Sequence, residues 1–82
     1  MPLELDTPTA EQRAGSYSDA LDSVNLINGN ASAQSTDQEW KDCLQRNVDH
    51  LEIMVAKTYW EGEDLSPLTA AIAAGKTKIA AI

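Results

Sequence analysis

The sequence has little of what small folds use to hold themselves together. It has one cysteine, one histidine, two tryptophans, two tyrosines and no phenylalanine in 82 residues. A single cysteine, Cys43, excludes an internal disulfide. A structural metal site takes about four Cys, His or carboxylate ligands, and Cys43 and His50 are the only soft ligands, seven apart and with no paired partners. No apolar run approaches the roughly 18 residues of a membrane span. The opening Met1-Pro2-Leu3-Glu4-Leu5-Asp6 lacks the basic and apolar regions of a secretory leader. Synthesis and residence in a cytoplasm is the expectation, and one free thiol fits it.

Positive charge is also scarce. Thirteen acidic side chains face six basic ones, a formal net charge of -7. An acidic surface repels phosphate backbones and anionic lipid, so neither nucleic acid nor membrane is an expected partner. The sign suits solubility and a basic protein partner.

Large apolar residues are few and unevenly placed. Residues 1–38 carry only Leu3, Leu5, Tyr17, Leu21, Val24, Leu26 and Ile27, whereas the patterned stretch runs from Trp40 to Ile72. That leaves a core near the limit of about 40 residues below which disulfides, metals or association are usually needed. With the first two excluded, association with other chains is expected.

The pattern predicts an all-α fold: an antiparallel two-helix hairpin over 37-75, preceded by a long, extended, largely irregular N-terminal arm over 1-36 and followed by a short tail over 76-82. Within the arm, Thr7-Pro8 offers a short helix ending at Gly15. Ser18 to Ile27 offers another turn or two, and Asn28-Gly29 marks a turn. The first hairpin helix starts at a Thr36/Glu39 capping box and runs to about Thr58. Trp40, Leu44, Val48, Leu51 and Val55 share one face. Asn47 falls inside that face, either fixing register across a seam or standing wetted at its edge, and Ile53 falls on the polar side, either touching a second surface or simply exposed. The second helix takes Ser66 as N-cap, Pro67 as its first residue and Gly75 as its exit. Its apolar face is Leu68, Ala71 and Ile72. The expected hairpin core is therefore Trp40, Leu44, Val48, Leu51, Val55, Leu68 and Ile72. Leu21, Val24, Ile27, Ile53, Tyr59 and Trp60 are the candidate partner-binding residues.

Reactive chemistry is sparse. Cys43 and His50 lie about 10 Å apart along a helix axis at 1.5 Å per residue, too far for a nucleophile–base hydrogen bond. Glu61, Glu63 and Asp64 form too short a run for a calcium loop, and no glycine-rich phosphate cradle occurs. No catalytic residue, cofactor, metal or small-molecule substrate is expected, and the chain reads as non-enzymatic.

The stretch from Trp40 to Gly75 resembles small proteins encoded among the structural genes of tailed bacteriophages. Those share an R-N-x-x-H-L-x-x-M helix, then W-x-x-E-D-L-x-P and an alanine-rich helix ending in glycine. The matching residues are Arg46, Asn47, His50, Leu51, Met54, Trp60, Glu63, Asp64, Leu65, Pro67, Ala71, Ile72 and Gly75. The resemblance covers under half of the chain and implies a virion component of the capsid, neck or tail, assembled in the bacterial host cytoplasm. Its expected partners are other virion subunits and copies of itself, with the arm laced across neighbours. The competing expectation is a small acidic inhibitor of a host enzyme, or a DNA mimic. Lys41, Arg46 and Lys57 interrupt the carboxylate stripe that a mimic needs.

Overall fold

A computed structural model describes residues 9–60 and 62–82. Three helices follow one another: α1 (Ala10–Asn28), α2 (Asp37–Ala56) and α3 (Ser66–Ala80). No strand occurs among the described residues. Each helix packs on both others. Tyr17 of α1 reaches Asp64 just before α3, and Lys78 near the end of α3 reaches Ile27 and Gly29 at the end of α1. Helices α1 and α3 therefore run in the same direction, with α2 antiparallel between their ends.

Both of the first two helices start on the same device. Thr9 accepts from the Gln12 backbone N–H while the Gln12 side chain accepts from the Thr9 N–H. Thr36 and Glu39 repeat the exchange at α2, as their spacing predicts. Such reciprocal caps satisfy two backbone donors that the helix itself leaves open.

The hairpin expected over 37-75 is present as α2 and α3. The expected irregular arm is corrected: Ala10–Asn28 is one helix, and it belongs to the core. Of the arm's described part, only residue 9 and residues 29–36 lie outside a helix. The start expected at Thr7-Pro8 falls outside the described residues, and Gly15 lies inside α1 rather than at its exit. The expected turn at Asn28-Gly29 is where the helix ends. The physical reason is that α1 packs through small residues. Ala20, Ser23, Val24 and Ile27 are buried, with Tyr17 and Leu21 packed at the edge. These positions recur every three or four residues, as a helix face requires. Ala20 and Ser23 contribute little to an apolar count, so the stripe looks broken in the sequence.

The core comprises Ala20, Val24, Ile27, Leu44, Val48, Leu51, Leu68 and Ala71. Three of these eight come from α1. Helix α1 thus adds to the apolar residues that α2 and α3 bury between them.

Two boundaries of α3 also differ from expectation. Ser66 is not the N-cap but the first helical residue; Leu65 precedes it without a side-chain cap. The capping oxygen comes from Asp64, whose Oδ1 accepts from the Ser66 N–H at 3.0 Å. Gly75 is not an exit. The helix runs through it to Ala80, and a Cβ placed there would collide with Val48 Cγ2 and lie 3.4 Å from Ile27 Cγ2. At Gly75 residues of all three helices come together, so its missing side chain is a packing requirement.

Replacing Ile27 by Ala should cost about 2–5 kcal/mol, the range for a large-to-small change in a packed core. An irregular arm would give almost none. Urea denaturation followed by circular dichroism distinguishes the two. The glycines make a second, paired test. Gly15 has open space where a Cβ would stand, so Gly15→Ala should stabilise by about 0.5–1 kcal/mol through helix propensity. Gly75→Ala should instead lower the melting temperature, because overpacking costs about 1–3 kcal/mol and outweighs the propensity gain.

Candidate docking site

The six candidate partner residues divide sharply. Val24 and Ile27 are buried in the core, so they are corrected from partner surface to internal packing. Leu21 is partly buried against the same core. Their helix lies against α2 and α3, which is what removes them from the surface. Ile53, Tyr59 and Trp60 behave differently. Ile53 is 58% exposed in the last turn of α2, and Tyr59 and Trp60 are half-buried in the segment that follows. Of the expected hairpin core, Leu44, Val48, Leu51 and Leu68 are fully buried. Trp40, Val55 and Ile72 pack partly buried against them.

Tyr59 and Trp60 join Tyr17 at one end of the bundle, where α1 begins, α2 ends and α3 starts. Trp60 meets Tyr17 with ring centroids 6.0 Å apart and planes inclined by 70°. It meets Tyr59 at 4.9 Å and 65°. Such edge-to-face pairs contribute about 0.5–1.5 kcal/mol beyond the area they bury. Hydrogen bonds pin the rings. Trp60 Nε1 donates to the Met54 carbonyl at 2.7 Å, one of the last carbonyls of α2, which also accepts the capping N–H of Lys57. The Tyr17 hydroxyl donates to the Asp64 carbonyl. Lys57 places its ammonium 5.9 Å from the centre of the Tyr59 ring.

Carboxylates flank this aromatic end. Glu63 and Asp64 are both exposed. The Ser66 backbone N–H holds the Asp64 carboxyl below the ordinary carboxylate range, with the Ser66 side chain adding to the effect. Tyr17 is the member that sequence reasoning missed as a site residue. Its place in the helical stripe of α1 was the available signal, because that stripe sets it beside the loop after α2.

The remaining polar residues have structural partners. His50 Nδ1 shares a 2.8 Å hydrogen bond with Ser23 Oγ across α1 and α2, and Ser23 is the one buried polar residue described. Asn47 donates to the Cys43 carbonyl at 2.8 Å. It therefore closes on its own helix instead of fixing register across a seam. Cys43 and His50 engage separate partners. Glu52 and Lys76 pair at 2.9 Å between α2 and α3, both well exposed, so the pair contributes little. No cluster of three or more His, Cys, Asp or Glu side chains forms among the described residues. Among the described residues, no helix is long and apolar enough to cross a membrane.

No family model matches the chain, and no curated protein or solved structure matches it.

Because the folded state lowers the Asp64 pKa, the carboxylate's contribution is fully present above the ordinary value. It is lost as pH falls through its own lower one. The gap in melting temperature between the native chain and Asp64→Ala should hold constant near neutral pH and narrow in acid below the usual carboxylate range. Thermal melts across a pH series measure it.

Proposed function

We propose that this chain is a non-enzymatic structural protein of a tailed-phage virion that docks on neighbouring subunits through the aromatic end of its bundle. The observation that carries the reading is the placement of Tyr17, Tyr59 and Trp60, half-buried around one junction, with Ile53 exposed in the adjoining turn of α2. Tyrosine and tryptophan are amphipathic and lose few rotamers on binding, which is why they concentrate at interfaces.

The motif behind the phage resemblance supports the same reading. Met54 and Trp60 are joined by the indole hydrogen bond, Asp64 caps α3, and Gly75 receives Val48 and Ile27. His50 ties α2 to α1. The motif residues are thus joints of a bundle that displays one loop, a suitable plan for a small assembly part. Partners under this reading are other virion proteins and copies of the same chain. The laced arm is withdrawn from it, since α1 is packed within the bundle.

Mass spectrometry of purified particles from the native source should find this protein. A photo-crosslinking amino acid at position 59 should capture another virion protein. Absence from particles, together with recovery of a single host nuclease or polymerase from lysate, would overturn the reading in favour of an acidic inhibitor.

A further inference from the structure

We infer that the aromatic end receives an arginine side chain from a basic segment of the partner, stacked on Tyr59 and paired with the carboxylate of Glu63 or Asp64. This rests on the docking function proposed above and names the chemistry of its partner at that same site.

Three observations lead there. First, a cation already lies over the Tyr59 ring: Lys57 Nζ is 5.9 Å from the centroid. Lys57 is exposed, so this ring face is reachable from solvent by a positive charge. Attraction between a cation and an aromatic face operates within about 6 Å. Second, the neighbouring loop carries Glu63 and Asp64, both exposed. The Asp64 carboxylate accepts the Ser66 N–H, which favours its ionised form. Third, Trp60 holds the position of Tyr59, and its own N–H is spent on Met54. The aromatic surface is therefore pre-positioned, which lowers the ordering cost of binding.

The chemistry selects guanidinium over ammonium. Its planar fork stacks on a ring while pairing with a carboxylate, whereas an ammonium is a strongly hydrated point charge. A second copy is the weaker occupant, because two chains of net charge -7 repel. Phosphate-bearing ligands are opposed by the same carboxylates.

The test uses the intact chain and three blocked tripeptides: tri-arginine, tri-lysine and tri-citrulline, the last being planar but uncharged. NMR follows the indole N–H of Trp60, with Trp40 at the opposite end of the bundle as internal control. Tri-arginine should shift the Trp60 signal saturably and leave Trp40 in place, while tri-citrulline shifts neither. Lys57→Gln, by removing the competing cation, should tighten tri-arginine binding about 2–5-fold, equivalent to about 0.5–1 kcal/mol for an exposed cation–π contact. Lys41→Gln removes the same charge in the first turns of α2, near the opposite end, and should change binding less. Tyr59→Leu should abolish it with helicity intact; if that variant unfolds, Glu63→Gln should weaken binding instead. The inference is overturned if tri-lysine or tri-citrulline matches tri-arginine, if Trp60 stays still, or if Lys57→Gln has no greater effect than Lys41→Gln. Failure here with position-59 crosslinks to a virion protein preserved removes only the arginine partner. Arginine binding by a protein absent from particles removes only the virion role.

Discussion

The bundle depends on one close approach. Helix α3 comes in at Gly75 so tightly that Val48 of α2 occupies the space a side chain would need, with Ile27 of α1 in contact beside it. A core of eight buried apolar residues, two of them alanine, has few large side chains with which to fill gaps. Bringing backbones together is the remaining route to dense packing, and dense packing matters because unfilled space forfeits dispersion contacts. Alanine at 20 and 71 works in the same direction, setting small side chains where α1 and α3 meet their neighbours. The chain thus compensates for lack of bulk with proximity.

That compensation explains which parts of the fold were legible. Helix α2 was readable because its face is made of Leu44, Val48 and Leu51, large residues at helical spacing, and because Thr36 and Glu39 announce its start. Helix α1 was not, since its buried stripe passes through Ala20 and Ser23, and one is small while the other is polar. Ser23 belongs inside only because His50 on α2 meets it, a fact that no local pattern contains. Glycine at 75 reads as punctuation in a sequence and acts as packing in three dimensions. The cap of α3 illustrates a finer limit: Asp64 and Ser66 are both competent residues, and only the backbone path decides that Asp64 supplies the oxygen.

The candidate site divides along the same line. Tyr59 and Trp60 stand out in the sequence as aromatic residues just beyond a helix. Their grouping with Tyr17 spans more than 40 positions and depends on α1 being helical. Conversely, Val24 and Ile27 look exposed only while α1 is taken for an arm. Once they are inside, the core and the outward-facing aromatic loop become separable features.

The ammonium of Lys78 reaches 51 positions back along the chain to the carbonyl of Ile27, and also to that of Gly29. It supplies the positive charge that the last turn of α1 lacks in its own sequence, where exposed carbonyls favour a cation. The end of α1 is therefore completed by a residue of α3, which ties the two parallel helices together at the end opposite the aromatic loop.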